Sequence, residues 1–184
     1  DDLSMVYMPG VARVARAISE NPQDVFNLSI KKNMVAIISD GSNVLHLGNI
    51  GPFAVLPVLE TKVLFHKEFA GTNAFPLPLQ VENVDQFVQA VKAIAPAFGA
   101  IHLEDIASPA CFEIEERLSA ELDIPVLHND QHGTAIVVVA ALINSLKILD
   151  KAPGSLRVVM NGVGPASLAG GRLVPALRLA AIGE

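Results

Sequence analysis

Short, largely apolar runs alternate with helical segments along most of this chain. Runs of this kind occupy residues 34–38, 100–103 and 124–128, and each ends in polar or small residues. Such runs are typical of strands that are buried on both faces of a sheet. Between them, residues 84–91 place apolar side chains at the i, i+3, i+4 and i+7 spacing of a helix. The alternation predicts an α/β protein with a mostly parallel sheet flanked by helices.

Turn and cap residues set the limits of the other elements. Two prolines in residues 74–79 predict an edge strand, because proline cannot donate a hydrogen bond to a neighbouring strand. We expect Asn83 to cap the helix that follows it, and Ser108 to cap a helix with Pro109 at its first position. Residues 157–160 are a predicted strand that leads through a glycine-rich turn into a last helix. Three further helices are predicted, at residues 9–20, at about 53–68, and from the segment after 124–128 to about 149.

Charge and composition exclude several classes of protein. The formal net charge is -6 and the 13 lysines and arginines are scattered, which argues against nucleic acid as a partner. The single cysteine, Cys111, allows no disulfide within the chain and is typical of a reducing cytosol. No signal-peptide pattern opens the chain, and the longest apolar run, near residues 135–143, is too short to cross a membrane. We expect a soluble cytoplasmic protein that acts on small molecules.

Acidic residues follow two of the predicted strands. Glu104 and Asp105 end one strand, and Asp130 lies in the polar segment between the next strand and the long helix. Ligands collect at the carboxyl ends of the strands in an open parallel sheet, so three carboxylates there predict a site for Mg2+ or Mn2+. Glu104 and Asp105 can face one ion only if the backbone turns, because neighbouring side chains on a strand point to opposite faces. The alternative is that the three acids cap the helices that follow.

The glycine-rich turn contains candidate cofactor-binding residues. Asn161, Gly162, Gly164 and Ser167 lie between a predicted strand and a helix, the context in which G-x-G-x-x-G binds a dinucleotide. Ser167 replaces the third glycine of that pattern. An ordinary turn of an α/β unit explains the same residues, so both interpretations stay open.

Six ordered blocks of the sequence resemble the bacterial malic enzymes, in order and with similar spacing. They are Tyr7–Ala12, Ser39–Gly41 with Leu47–Pro52, Phe69–Gly71, Leu103–Ile106, Cys111–Glu115 and His128–Ala135. The resemblance implies a two-domain enzyme with the aminoacid-dehydrogenase-like arrangement. Residues 1–150 would form a metal-binding catalytic domain, and residues 151–184 the truncated start of an NAD(P)-binding Rossmann domain. It also implies that the chain is a fragment of a longer protein, and that the protein is a homodimer or a higher homo-oligomer.

The same resemblance implies a reaction and the residues that carry it out. The reaction is the oxidative decarboxylation of malate to pyruvate and CO2, with reduction of NAD or NADP. Glu104, Asp105 and Asp130 would bind the divalent metal, while Lys62 would be the general base and Tyr7 the proton donor. A lysine serves as a base near neutral pH when burial and a nearby cation depress its pKa. Without the resemblance, Tyr7 is equally consistent with a hydrophobic staple and Lys62 with a solvated surface charge.

Four positions depart from the family pattern near the implied site. Asn129 stands where the family usually has an aspartate that pairs with the lysine, and an amide cannot supply that charge. His46 and Thr61 replace glycines, and Met8 replaces a small hydroxyl residue beside Tyr7. We therefore predict impaired turnover. Two other functions stay open: a metal-dependent oxaloacetate decarboxylase of the same family, and a non-catalytic structural or assembly fragment.

Overall fold

A four-stranded parallel sheet forms the centre of the molecule, as predicted. The computed structural model describes residues 2–162 and 164–180, with side chains up to residue 175. The strand order is β2-β1-β3-β4, and all three pairings are parallel. The strands are β1 (Met34–Ser39), β2 (Asn73–Pro78), β3 (Ala100–Leu103) and β4 (Val126–His128).

Helices connect and cover the strands. They are α1 (Asp2–Val6), α2 (Gly10–Glu20), α3 (Val25–Leu28), α4 (Gly51–Ala70), α5 (Val84–Ile94), α6 (Ala110–Glu121), α7 (Asn129–Leu149) and α8 (Pro165–Ala180). Short 3-10 turns occupy Pro22–Asp24, Ile30–Asn33, Ala95–Ala97 and Pro153–Ser155. Within the described residues, every helix expected from the sequence is present.

Strand β1 lies inside the sheet and divides the core into two layers. Ala36 and Ile38 point to one face, where they pack with residues of α5 and α6. Ile37 points to the other face and packs with Val55 and Leu59 of α4. This alternation is the period of two that a strand imposes on its side chains. Because both faces are covered, the apolar run that the sequence shows here is confirmed as a fully buried strand.

Two boundary predictions are confirmed and one is wrong. β2, which contains Pro76 and Pro78, is an edge strand, and the Asn83 side chain accepts a hydrogen bond from the backbone N–H of Gln86. Ser108 is not the cap of α6. That helix begins at Ala110 with Pro109 in the cap position and no side-chain cap. The backbone N–H of Phe112 donates to the carbonyl of Pro109, so the first turn closes one residue later than predicted.

The strand predicted at residues 157–160 is not formed. These residues belong to no strand in the described part of the chain, and Val159 is 93% exposed. A strand is stabilised by hydrogen bonds to a neighbouring strand, and residues 157–160 have no such neighbour within the described ranges. The helix predicted after the turn is present as α8, which starts at Pro165 and packs along α7. Val163, in the turn itself, lies outside the described residues, and a domain boundary at residue 150 stays a prediction.

Helix α7 is long and apolar enough, by length and composition alone, to cross a membrane. The expectation that no apolar segment has that length is wrong, because the helix extends beyond residues 135–143 at both ends. Only 11% of its most apolar window is buried in this structure. Its first turns lie at the edge of the sheet, where Gln131 and Ala135 are buried.

Candidate active site

The three predicted acids converge at the carboxyl ends of β3 and β4. One carboxylate oxygen of each of Glu104, Asp105 and Asp130 lies within 4.8 Å of the other two. Asp105 adopts φ 54, in the left-handed region, which aspartate tolerates better than most residues. The backbone therefore turns at Asp105, as the convergence of two consecutive side chains requires. The Asp105 backbone N–H also donates to Oδ2 of Asp130 at 2.8 Å, which ties the two strand ends together.

The capping alternative for these acids does not hold. Helix α6 begins at Ala110, beyond Glu104 and Asp105, and has no side-chain cap. At α7 the cap position is His128, again without a side-chain cap, and Asp130 lies inside the first turn. A carboxylate in that turn is favoured by the positive end of the helix dipole.

Burial and crowding of like charge shift the pKa values of the three carboxyl groups. Burial, followed by the negative charge of Glu104, raises the pKa of Asp105 to about 6 and that of Asp130 to about 6. Burial also acts to raise the pKa of Glu104. The hydrogen bond and charge of His102, with the charge of Lys62, outweigh that effect and hold the pKa of Glu104 below its ordinary value. The cluster thus concentrates negative charge that only partly has cationic partners.

Helix α4 contributes the predicted lysine to this cluster. Lys62 Nζ lies 3.1 Å from Oε1 of Glu104, and the lysine side chain is only 25% exposed. Lys62 is therefore not a solvated surface charge. Asn129, expected beside the lysine, instead donates from Nδ2 to Oε1 of Glu104 at 3.2 Å. Its side chain folds over Gly133, where any Cβ would collide with Asn129 Oδ1.

A cavity of about 460 Å³ opens beside the acids. This volume is within the range of small-molecule sites. Its walls come from the loop after β1, from α4, from the ends of β3 and β4, and from the start of α8. The lining residues that bear on chemistry are Lys62, Glu104, Asp105, Asn129, Asp130 and His46. Pro165 and Ala166 complete the wall, so the start of α8 faces the same space as the acid cluster.

The donor set fits a divalent cation. Oδ2 of Asp105 is buried and has no hydrogen-bond partner among the described residues. An unpartnered buried carboxylate oxygen is costly, and a cation bound beside it would remove that cost. Three carboxylates are hard oxygen ligands, which suit Mg2+ or Mn2+ better than softer metals.

Two groups of predicted site residues lie outside the acid cluster. Tyr7 is 66% exposed and does not line the cavity, and Met8 beside it is 59% exposed. Of the candidate cofactor-binding residues, Asn161, Gly162 and Gly164 precede α8 and Ser167 lies in its first turn. Gly162 has φ 135, and a Cβ there would lie 3.0 Å from Oγ of Ser167. The turn therefore requires glycine at residue 162, which agrees with both interpretations of the pattern.

A second polar network, around Glu115, was not predicted from the sequence. Glu115 of α6 accepts hydrogen bonds from the backbone N–H of His128 at 2.7 Å, from Gln131 Nε2 at 3.0 Å and from His132 Nε2 at 2.9 Å. His132 thus holds the start of α7 by a hydrogen bond. The ring nitrogens of His128 have no hydrogen-bond partner among the described residues, and burial lowers its pKa to about 4.

A chain of two histidines was also missed. His102 Nε2 lies 2.7 Å from Oε2 of Glu104, and His102 Nδ1 lies 2.9 Å from His66 Nε2. One signal was available, because residues 102 and 104 are separated by the period of a strand and face the same side. Nothing in the sequence indicated that His66, on a helix, would meet them.

Comparisons with known proteins bear on the family of this chain. A profile of the malic enzyme N-terminal domain matches residues 1–83 and 79–119. The NAD-dependent malic enzyme of Geobacillus stearothermophilus is 57% identical over 92% of this chain and 35% of its own length. The NADP-dependent malic enzyme of Rhizobium meliloti is 44% identical over 96% of the chain and 23% of its own length.

Solved structures show the same fold. The malic enzyme from Pyrococcus horikoshii superposes with a TM-score of 0.92 at 49% identity, and the match covers 95% of this chain and 40% of that one. The chain thus spans two fifths or less of the length of these relatives. The parallel sheet flanked by helices is the N-terminal fold of malic enzymes. Matches to a family profile, to curated relatives and to solved structures all agree, and the chain belongs to the malic enzyme family.

Proposed function

We propose that this chain forms the metal- and substrate-binding part of an enzyme that oxidatively decarboxylates malate to pyruvate and CO2 with NAD or NADP. The observation that carries the proposal is the cavity shared by Lys62 and the three convergent acids. Family membership supports the reaction, since relatives are named NAD- or NADP-dependent malic enzymes. The chain covers only part of their length, so the complete reaction belongs to the longer protein.

Each residue of the cavity has a role in this proposal. Glu104, Asp105 and Asp130 would hold Mg2+ or Mn2+, which supplies Lewis acidity at the reacting oxygen of the substrate. Lys62 lines the cavity next to these acids and accepts the proton of the malate hydroxyl. The ion pair between Lys62 and Glu104 places the lysine nitrogen close to where a substrate bound at the acids would lie.

The nucleotide would bind at the start of α8. Asn161, Gly162, Gly164 and Ser167 precede or open this helix, whose first-turn N–H groups favour a phosphate. Pro165 places the same helix end on the wall of the acid cavity. A nucleotide held there lies next to the substrate, as hydride transfer requires.

Tyr7 does not line the cavity of its own chain, so it can act as the proton donor only in the cavity of a second copy. Its ring is exposed, and its neighbours Leu3, Met5 and Val6 are exposed apolar residues of α1. We propose that the enzyme is a homodimer or higher oligomer in which this N-terminal segment contributes Tyr7 to the site of a second copy. Mixing inactive Tyr7→Phe and Lys62→Met proteins then restores about a quarter of the activity, because half of randomly exchanged dimers are mixed and each has one complete site. No recovery after subunit exchange contradicts the shared site.

We also propose a soluble, cytoplasmic protein. The start of α7 is bound to the end of β3 through Asp130 and to α6 through Glu115. We expect the exposed apolar face of α7 to pack against the rest of the longer protein rather than against lipid. The longer protein should remain in the soluble fraction after cell lysis and high-speed centrifugation.

Two measurements test the proposed activity. Calorimetry on the 184-residue chain should show Mn2+ binding that Asp130→Ala abolishes. In the longer protein, Lys62→Met should lower the kcat of malate-dependent NAD(P)H formation by about 100- to 10,000-fold, the usual contribution of an acid-base group. Mn2+ binding should survive in that variant, because Lys62 is not one of the ligands. Pyruvate release from oxaloacetate, with no NAD(P)H formed from malate, would instead support the decarboxylase, and absence of Mn2+ binding would support the structural fragment.

A further inference from the structure

Both oxygens of the Glu104 carboxylate accept hydrogen bonds, and α4 contributes to holding each of them. Oε1 accepts from Lys62 at 3.1 Å and from Asn129 at 3.2 Å. Oε2 accepts from His102 Nε2 at 2.7 Å, the only partner found for that oxygen within the described side chains. Glu104 is 3% exposed, so water cannot readily replace a lost partner. The direction in which this carboxylate points therefore depends on His102.

His102 is held in turn by α4. Its Nδ1 lies 2.9 Å from His66 Nε2, and His66 Nδ1 lies 3.1 Å from Oγ1 of Thr72. Thr72 follows the end of α4 and its backbone N–H donates to the carbonyl of His66. His66 is one helical turn beyond Lys62, so both project from the same face of the helix. One face of α4 thus reaches Oε1 directly through Lys62, and Oε2 through His66 and His102.

The glutamate fixes which ring nitrogen of His102 donates to it. A carboxylate can only accept, so Nε2 of His102 carries a proton. When His102 is neutral, its Nδ1 is an acceptor and His66 donates to it from Nε2. When His102 is protonated, both of its ring nitrogens donate and His66 accepts at Nε2. In either state His66 holds the ring of His102, and Thr72 holds His66.

We infer that His102 and His66 are positioning residues that orient Glu104 as a ligand of the divalent metal. The inference rests on the proposed function, since it assigns to Glu104 the metal site of that proposal. Neither histidine belongs to the acid cluster that would hold the ion. Outer partners of this kind typically contribute 10- to 100-fold to metal affinity, because they fix the orientation of the ligand.

The test is Mn2+ affinity measured by calorimetry on the 184-residue chain and four variants. His102→Phe should weaken binding by about 10- to 100-fold and His66→Phe by about 10-fold. His66→Gln, whose amide can reach the position of the ring Nε2 and still donate to His102, should keep most of the affinity. His132→Phe is the matched control, because it breaks a histidine–carboxylate hydrogen bond of similar length at Glu115. It should leave Mn2+ affinity unchanged.

The outcomes separate this inference from the proposed function. Unchanged Mn2+ affinity in both phenylalanine variants at positions 102 and 66 overturns the positioning role while the metal site stands. Equal losses in His66→Phe, His66→Gln and His132→Phe also overturn it, because they indicate general destabilisation. A parent chain that binds no Mn2+ overturns both. If circular dichroism shows that His102→Phe is unfolded, the comparison of His66→Phe with His66→Gln tests the positioning role instead. His66 is partly exposed on α4, so its substitutions disturb the fold less.

Discussion

Two glutamates, Glu104 and Glu115, are both held by histidines, yet their surroundings differ in charge. Glu115 accepts three hydrogen bonds, from His128, Gln131 and His132, and all of its described partners are donors. Glu104 also accepts from donors, but Asp105 and Asp130 crowd it with two more carboxylates. The Glu115 network is satisfied by the protein itself, whereas the Glu104 cluster leaves a buried oxygen of Asp105 without a partner.

The difference separates a structural contact from a binding site. A buried carboxylate surrounded by donors stabilises the fold, because each donor keeps a partner after it leaves water. Several carboxylates with too few donors destabilise the metal-free fold and are explained by a bound cation. Glu115 therefore joins α6 to α7, and Glu104 belongs to the site.

The largest expected effect comes from removing the charge at each glutamate in turn. Glu104→Gln should weaken Mn2+ binding by more than about 100-fold, since even outer partners contribute up to that factor. Glu115→Gln should change Mn2+ affinity by no more than a few-fold, because the Asp105 N–H still holds Asp130. It should lower the free energy of unfolding by about 1 to 3 kcal/mol, since three donors lose their charged acceptor.

Calorimetry and urea unfolding of the two variants measure both quantities. Equal losses of Mn2+ affinity in Glu104→Gln and Glu115→Gln would abolish the distinction between the two networks.

A smaller effect is expected on the stability of the metal-free chain. The pKa of Asp105 is raised to about 6 in the folded protein, so the fold loses stability as pH rises from the ordinary aspartate value through 6. Asp105→Asn removes this loss, and asparagine tolerates the left-handed backbone. The variant should be more stable than the parent by about 3 kcal/mol at pH 7 and nearly equal in stability near pH 4.

Urea unfolding at both pH values in the presence of EDTA gives this difference. Asp130 loses a repelling neighbour in this variant, which lowers its raised pKa and adds to the gain in stability at pH 7. Other titrating groups, including the buried His128, are common to both chains and largely cancel. Saturating Mn2+ should reverse the order at pH 7, because only the parent is stabilised by binding. Glu115→Gln is the control, and it should be destabilising at pH 7. If Asp105→Asn is no more stable than the parent at pH 7, the folded protein does not disfavour an ionised Asp105.

The smallest effect concerns Asn129, which donates to Glu104 in this chain. An aspartate there cannot donate to Glu104 and should turn to Lys62, which gives the lysine a charged partner. If Asn129 impairs turnover, Asn129→Asp in the longer protein should raise kcat for malate oxidation by about 10-fold, below the full contribution of an acid-base group. Asn129→Ala, which removes the amide without adding charge, should not. Equal or lower kcat in Asn129→Asp contradicts the predicted impairment.

Much of the fold followed from local patterns. The apolar run at 34–38 predicted a buried strand and the prolines at 74–79 an edge strand, because burial and proline chemistry act on neighbouring residues. One failure was non-local. Residues 157–160 have the composition of a strand, but a strand also needs a partner, and the described chain supplies none there.

The candidate site divides in the same way. Glu104, Asp105 and Asp130 could be chosen from the sequence because strand ends in a parallel sheet meet at one edge. The resemblance to malic enzymes added Lys62, whose helical position alone gave no such indication. Neither source predicted that His66 and His102 would join, or that Asn129 would contact Glu104 rather than the lysine. Side chains on different elements meet only once the elements are packed.

The sequence by itself determined the four strands of the sheet and the helices between them, the acids at two strand ends and the family of the chain. These properties depend on residue type and on spacing over short distances. Only the tertiary structure decided which carboxylates share a cavity, which of them lacks a partner and which face of α4 holds Glu104. Those properties depend on distances between residues up to 42 positions apart, such as His66 and His102 or Lys62 and Glu104, that folding alone brings to about 3 Å. Asp105 links the residue type to the tertiary structure. Aspartate tolerates the left-handed backbone found there, and that backbone turns the side chains of Glu104 and Asp105 toward one site.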